Sequence, residues 1–136
     1  MKYIVYADGG SRGNPGSAGA GAIVRDEKGI VVYTVSEFLG HTTNNVAEYT
    51  AILRALEGIQ DIAGSQTAAV EVNMDSELVV KQMKGEYKIK HPNLKPLAEA
   101  VKKLVPSFAS VSFSHVRREY NKEADALANA AMDRGA

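Results

Sequence analysis

The segment from Tyr3 to Gly16 constrains the fold of this chain more than any other. Residues 3–7 are apolar at both odd and even positions and rich in aromatic and β-branched side chains, which is typical of a strand buried on both faces. Asp8 follows, where a buried carboxylate is costly unless a cation or a proton donor meets it. The glycine-rich run after Asp8 can bend sharply and bring backbone N–H groups close to a ligand. The segment therefore predicts a central strand ending in a carboxylate that needs a partner.

Composition is that of an ordinary globular domain. The 136 residues are 45% hydrophobic and 24% charged, and no apolar run approaches the length needed to span a bilayer. We expect a single domain over residues 1–136 and no membrane partner. Met1 leads directly into the first strand and cysteine is absent, so we expect no signal peptide and a cytoplasmic location. The formal net charge of zero gives no reason to expect tight nucleic-acid binding from the overall field.

The order of the remaining elements predicts a mixed sheet. Two strands are predicted over residues 19–25 and 30–37, joined by a hairpin turn that ends at Gly29. The later elements are a helix from Val46 to about Gln60, a strand over 69–74, a helix over 77–84 capped by Ser76, a helix capped by Asn93 and stopped by Pro106, a strand over 111–116, and a helix from Asn121. Three antiparallel strands followed by strands reached through helical crossovers indicate an α/β fold with a five-stranded mixed sheet flanked by helices.

Four carboxylates are predicted to meet at one edge of this sheet. Asp8 and Asp75 end the first and fourth strands, and Glu48 and Asp125 lie in the first turns of two helices. Parallel strands end at the same edge of an open sheet, where ligands bind. Carboxylates that close repel one another unless divalent cations neutralise them, and oxygen ligands favour Mg²⁺ or Mn²⁺. The pattern therefore predicts a site for two metal ions that hydrolyses a phosphodiester.

Each carboxylate also has a purely structural interpretation. Asn45-x-x-Glu48 matches a capping box, and Asp125 complements the dipole of its helix. Asp75 could cap the next helix, and Asp8 could serve the glycine turn. Taken singly, the structural interpretation is the more common one. It weakens for the four together, because all of them are predicted at one sheet edge.

Four blocks of this sequence together resemble ribonuclease H type 1. The blocks are Tyr6–Gly16, Thr42–Glu48, Asp75–Ser76 and Asn121–Ala128, in the order of that family and at about its spacings. The resemblance implies the ribonuclease H-like fold. It also implies hydrolysis of the RNA strand of RNA–DNA hybrids, which leaves 5′-phosphate and 3′-hydroxyl ends.

The same resemblance implies where metal and substrate bind. It assigns two ions of Mg²⁺ or Mn²⁺ to the catalytic residues Asp8, Glu48, Asp75 and Asp125, with water attacking in line and no covalent enzyme intermediate. It places the minor groove of the hybrid against Ser11, Arg12, Gly13, Asn14, Asn44, Asn45 and Ser76, and a phosphate of the DNA strand against Thr43 and Asn14. Because A-like duplexes are read by groove shape and the 2′-OH, cleavage should be largely independent of sequence.

The chain departs from the resembled family in two places. Many members carry a mobile histidine in the loop before the last helix; Glu119 lies near that position here and is our predicted substitute. A basic, tryptophan-rich protrusion is also missing, which predicts weaker and less salt-sensitive binding. We expect Lys81, Lys84, Lys88 and Lys90 to compensate in part, and a fused or associated domain to supply the rest. We expect a monomer.

Two rival functions stay open at this point. The first is another nuclease on the same fold, or broader action on double-stranded RNA; residues 42–45 and Asn14 argue against a DNA nuclease, because a reader of hybrids needs them. The second is a catalytically silent hybrid-binding module of a larger protein. Carboxylates are present at all four predicted positions, which argues against a module without catalytic activity.

Overall fold

The computed structural model describes residues 1–135 and shows a five-stranded sheet of order β3-β2-β1-β4-β5. The strands are β1 (Lys2–Arg12), β2 (Gly16–Asp26), β3 (Val31–Thr42), β4 (Ala69–Met74) and β5 (Ser110–His115), and the helices are α1 (Asn44–Gln60), α2 (Glu77–Met83), α3 (Lys95–Leu104) and α4 (Lys122–Arg134). The first three strands pair antiparallel, whereas β4 pairs parallel with both β1 and β5. The predicted fold class is therefore confirmed.

Helices cover both faces of the sheet. Helix α1 packs on β1 and β2 and also contacts α3 on the same face, while α4 packs on β2, β1 and β3. The core between α1 and the sheet is filled by fully buried side chains of α1, among them Tyr49, Ile52, Leu56 and Ile59. None of the helices within residues 1–135 is both long and apolar enough to cross a membrane.

The first three strands are longer than the sequence predicts. Strand β1 continues past Asp8 through the glycine run to Arg12, because β2 pairs with it from Tyr3 opposite Asp26 to Arg12 opposite Ser17. The chain does turn within the glycine-rich run, but at residues 13–15, between β1 and β2, and not directly after Asp8. The non-local ladder overrides the low strand propensity of glycine and serine.

The helix ends also differ from expectation in two places. Helix α1 begins at Asn44 rather than Val46, so Glu48 is its fifth residue and lies beyond the first turn. Helix α3 begins at Lys95 with Leu94 at the N-cap and no side-chain cap, so the predicted cap by Asn93 is wrong. A proline in the first turn of α3 presets the helical φ angle without a capping side chain. Ser76 does cap α2, and its hydroxyl oxygen accepts from Val79 N–H at 3.3 Å.

Candidate active site

The fold brings the four predicted carboxylates to one open cleft. Because β1 and β4 run parallel as neighbours, Asp8 in β1 and Asp75 just after β4 emerge at the same edge. Glu48 enters from α1 and Asp125 from the first turn of α4. All four line a cleft of about 750 Å³. Four segments that are distant in sequence thus form one acidic site.

Two glycines allow the helices to approach this closely. A Cβ atom on Gly9 would lie within 3.0 Å of backbone atoms of Ala47 and Glu48, so α1 rests directly on the strand beside Asp8. Gly21 pairs with Asp8 across β1 and β2, and a Cβ there would collide with the backbone of α4 at Ala124. Real side chains at either position would push a carboxylate-bearing helix away from the sheet.

Burial keeps two of the carboxyls from ionising easily. Asp8 and Glu48 are each only 8% exposed. Burial, then the charge of Asp75, then a hydrogen bond with the carboxyl of Asp125 raise the pKa of Asp8 to about 8. Burial raises the pKa of Glu48 to about 7, although a hydrogen bond from Ser76 opposes the shift. Without a cation the cleft therefore holds protons at neutral pH.

The donor set of the cleft fits divalent cations. Hard cations such as Mg²⁺ and Mn²⁺ prefer carboxylate oxygens, and the cleft offers them from four side chains. The buried Oε2 atom of Glu48 has no hydrogen-bond partner within residues 1–135, which leaves an oxygen available for an ion. In the described part of the chain, no three acidic or histidine side chains are already gathered at metal-ligand spacing.

The predicted substrate-contacting residues divide into two groups. Ser11, Arg12, Asn44 and Ser76 line the cleft directly. Gly13, Asn14, Thr43 and Asn45 instead shape the backbone around the cleft. Asn14 Oδ1 accepts from Asn44 N–H at 3.2 Å, and Asn45 N–H donates to Asn44 Oδ1 at 3.0 Å. Thr43 caps α1, and Gly13 takes a φ of +88°. The hydrogen bond between Asn14 and Asn44 thus holds the β1–β2 turn against the N-terminus of α1, beside the carboxylates.

Arg12 already has partners on α4. Its guanidinium pairs with Asp133 at 2.6 Å and contacts Asn129 Oδ1 at 3.5 Å. The pair is exposed, and exposed ion pairs contribute only about 0–1 kcal/mol. A phosphate can therefore compete for this guanidinium.

The predicted lysines lie outside the cleft lining. Lys81 pairs with Glu77 at 3.0 Å and sits 5.0 Å from the ring centre of Tyr87. Lys88 lines a groove between the α2–α3 loop and α3, and Lys84 lines another beside β5. Any contact of these lysines with nucleic acid is therefore made away from the carboxylates.

Sequence reasoning missed two polar residues of the cleft. Arg118 lines the cleft, whereas Glu119 lies in an adjoining pocket that Arg118 and Asp125 also line, and its carboxylate accepts from Arg117 at 3.4 Å. Asn129 also lines the cleft, four residues after Asp125 on the same face of α4. Helical spacing could have identified Asn129. The path of the loop before α4, on which the orientation of Arg118 depends, leaves no periodic signal in the sequence.

Comparison with known proteins assigns the family. The family described as "Reverse transcriptase-like" matches residues 6–131. A ribonuclease H from Ruthia magnifica is 34% identical, and the alignment covers 98% of this chain and 97% of that protein. The chain belongs to the ribonuclease H family. Members of this family depend on divalent metal ions.

Solved structures of relatives share the whole architecture. The N-terminal RNase H domain of Rv2228c from Mycobacterium tuberculosis superposes with a TM-score of 0.92 at 41% identity, covering 98% of this chain and 100% of that chain. LC11-RNase H1, solved in complex with an RNA/DNA hybrid, superposes with a TM-score of 0.89 at 46% identity over 97% of both chains.

Some relatives are considerably longer than this chain. The bifunctional protein Rv2228c of Mycobacterium tuberculosis is 42% identical over 100% of this chain, yet the alignment spans only 37% of that protein. For ribonuclease HI of Halobacterium salinarum, 39% identical over 94% of this chain, the alignment spans 63%. The domain thus occurs within larger polypeptides.

Proposed function

We propose that this chain is a metal-dependent endonuclease that hydrolyses the RNA strand of RNA–DNA hybrids. The convergence of Asp8, Glu48, Asp75 and Asp125 on one cleft is the observation that carries the proposal. Membership of the ribonuclease H family supports it, because a cluster of carboxylates that binds metal ions can hydrolyse the phosphodiesters of RNA. The products would carry 5′-phosphate and 3′-hydroxyl ends.

The four carboxylates would hold two ions of Mg²⁺ or Mn²⁺ and orient them in the cleft. When bound, such ions activate water and neutralise charge that develops on a phosphodiester. Asp8 and Glu48 would release their protons as the cations bind, because a nearby positive charge lowers the pKa that burial has raised. Ser76 would hold the Glu48 carboxylate through its hydroxyl, and Arg118 would supply a cation for a phosphate at the cleft wall.

The rim of the cleft would select the hybrid. Ser11, Arg12, Asn44 and Ser76 present donors and acceptors next to the carboxylates, as recognition of 2′-hydroxyls in a shallow minor groove requires. Gly13, Asn14, Thr43 and Asn45 would shape and extend this surface. The relative LC11-RNase H1, solved with an RNA/DNA hybrid, supports this choice of substrate.

Contacts outside the cleft would be few. Lys81, Lys84 and Lys88 would meet backbone phosphates, each adding to the salt dependence of binding. A fused or associated domain would supply further contacts, as the fusion in Rv2228c suggests. We propose that the domain acts as a monomer in the cytoplasm.

A side-by-side digestion tests the proposed substrate. An end-labelled RNA–DNA hybrid, double-stranded RNA and double-stranded DNA of one sequence are incubated with the protein and Mg²⁺ or Mn²⁺. We expect cleavage of the RNA strand of the hybrid and intact DNA. Equal cutting of DNA would contradict the proposal, comparable cutting of double-stranded RNA would broaden the substrate, and hybrid binding without cleavage would identify a silent binding module.

A further inference from the structure

Asn121 is a buried asparagine that connects two carboxylate-bearing segments. Its side chain is 1% exposed, and its Nδ2 atom donates a hydrogen bond of 3.0 Å to the backbone oxygen of Ala7. Ala7 immediately precedes Asp8 in β1. The pairing between β1 and β4 ends at Tyr6, so Asn121 binds β1 just beyond the last residue held by β4. A side chain from the last part of the chain thus fixes the backbone that carries Asp8.

The backbone of Asn121 fixes the second segment. Its carbonyl oxygen accepts from Asp125 N–H at 3.1 Å, and its own N–H donates to Arg118 O at 3.0 Å. The first of these bonds closes the first turn of α4, from which the Asp125 carboxyl reaches the carboxyl of Asp8, and the second ends the short 3-10 turn that precedes the helix. One residue therefore spans the gap between the two segments through a side-chain bond and a main-chain bond.

Helix capping does not explain this asparagine. Asn121 occupies the N-cap position of α4, where an asparagine oxygen normally accepts from an N–H of the first turn. Here the side chain makes no capping bond, and within residues 1–135 its buried Oδ1 atom has no partner. A buried acceptor left unsatisfied is costly. The amide is therefore oriented for its bond to Ala7 at the expense of the cap.

We propose that Asn121 is a positioning residue that sets the separation of the Asp8 and Asp125 carboxylates, and thereby the affinity of the cleft for divalent cations. This proposal rests on the function proposed above. Residues that orient metal-binding groups change affinity by about 10- to 100-fold when they are replaced. Loss of the hydrogen bond from Asn121 to Ala7 O, which we call the clamp, should therefore weaken metal binding although all four carboxylates remain.

The chain offers a matched control in Asn73. Asn73 is also buried, at 4% exposure, and its Nδ2 atom also donates to a carbonyl of β1, Val5 O, at 3.2 Å. It differs in that its bond joins β1 to β4, the strand that leads to Asp75, and the backbone ladder over residues 2–6 and 69–73 already holds these two strands together. Its Nδ2 atom also donates to Glu71 Oε2 at 3.1 Å. Asn73→Ala removes the same kind of bond from the same strand, together with the bond to Glu71, but leaves the ladder between β1 and β4, so it measures the cost of losing a buried amide where the backbone still holds the strands.

Two variants of Asn121 distinguish the effect of the bond to Ala7 O from the effect of the N-cap of α4. Asn121→Ala removes the bond to Ala7 and offers no cap. Asn121→Ser is too short to reach Ala7 O but supplies a favourable N-cap, which contributes about 1 kcal/mol to helix stability. The serine variant should therefore fold well and still lack the clamp.

Mn²⁺ titration by calorimetry, without substrate, is the deciding measurement, with thermal melting in EDTA to establish folding. We expect both Asn121 variants to bind Mn²⁺ about 10-fold or more weakly than wild type. Asn73→Ala should lose comparable stability and keep wild-type Mn²⁺ affinity. In cleavage assays the Asn121 variants should lose kcat at saturating hybrid, recover part of it at high Mn²⁺, and keep an unchanged KM for the hybrid.

Three results would overturn the proposal. Wild-type Mn²⁺ affinity in folded Asn121→Ser would show that the bond to Ala7 does not set the site. An equal loss of affinity in Asn73→Ala would reduce Asn121 to a structural role. Absence of Mn²⁺ binding by the wild-type protein would overturn the metal assignment itself and this inference with it, which distinguishes failure of the proposed function from failure of the clamp.

Discussion

Replacing Gly9 by alanine should lower the rate of hybrid cleavage much more than it lowers the stability of the fold. In Gly9→Ala, the new Cβ would lie within 3.0 Å of Glu48 N and of the carbonyl group of Ala47. Non-bonded heavy atoms require about 3.5 Å, so the backbone of α1 must withdraw by ~1 Å. Neither partner is a flexible side chain that could move aside. The substitution therefore displaces the part of α1 that carries Glu48.

The expected cost of Gly9→Ala follows from that displacement. Overpacking of this kind costs about 1–3 kcal/mol, which lowers the melting temperature by roughly 4–12 °C for a domain of this size. A misplacement of ~1 Å at a reacting centre reduces turnover by about 100-fold. We therefore expect a protein that still folds at 25 °C but cleaves the hybrid about 100-fold more slowly.

The adjacent glycine provides the control for this experiment. In Gly10→Ala, the new Cβ meets only the Cε atom of Met132 at 3.4 Å, which is an ordinary contact with a flexible side chain. Melting in EDTA and initial rates of hybrid cleavage are compared for the two variants. If Gly9→Ala matched Gly10→Ala in both stability and rate, the close approach of α1 to β1 would not be what positions Glu48.

Three smaller perturbations test the acidity of the cleft, the loop before α4 and the lysines. Because burial raises the pKa of Asp8 to about 8 and that of Glu48 to about 7, the folded state keeps protons that the unfolded state releases above pH ~4. In EDTA, the free energy of unfolding should therefore fall as pH rises from 5 to 8, by up to ~1.4 kcal/mol per pH unit for each carboxyl, and less steeply in Asp8→Asn; a flat or rising profile would contradict this. Arg118→Ala should lower kcat/KM by about 10- to 100-fold, as loss of a hydrogen bond to a charged group does, whereas Glu119→Gln should change it little; the reverse order would favour Glu119. Replacing Lys81, Lys84 and Lys88 by alanine should raise KM and reduce its salt slope by roughly 3, about one for each phosphate contact on a duplex, and an unchanged slope would exclude them as phosphate contacts.

The topology and the acidic site were predictable because they depend on strong local signals. Asp8 follows a continuous apolar run and Asp75 follows a run in which apolar and polar residues alternate, both of which are strand patterns, and parallel neighbours must end at one edge. The helix that carries Glu48 shows clear apolar periodicity, which predicts its existence, although it begins at Asn44, two residues before the predicted start. Convergence of the carboxylates thus followed from element order alone.

The parts that sequence could not supply depend on non-local contacts. The extension of β1 to Arg12 is imposed by its pairing with β2, which no local propensity reveals. The places of Arg118 in the cleft and of Glu119 in the adjoining pocket beside Asp125 depend on the path of one short loop. The bond from Asn121 to Ala7 joins residues 114 positions apart, so only the folded chain displays it.

The most direct test of the central claim is cleavage of an end-labelled RNA–DNA hybrid by wild type and by Asp8→Asn in Mg²⁺, Mn²⁺ or EDTA. Asp8→Asn preserves shape and removes one ligand charge, and melting establishes that the variant is folded. The account predicts cleavage of the RNA strand by wild type with metal only, and its loss in Asp8→Asn. Cleavage in EDTA, or an equally active Asp8→Asn, would contradict the metal site. Hybrid binding without cleavage by wild type in either metal would contradict the proposed activity.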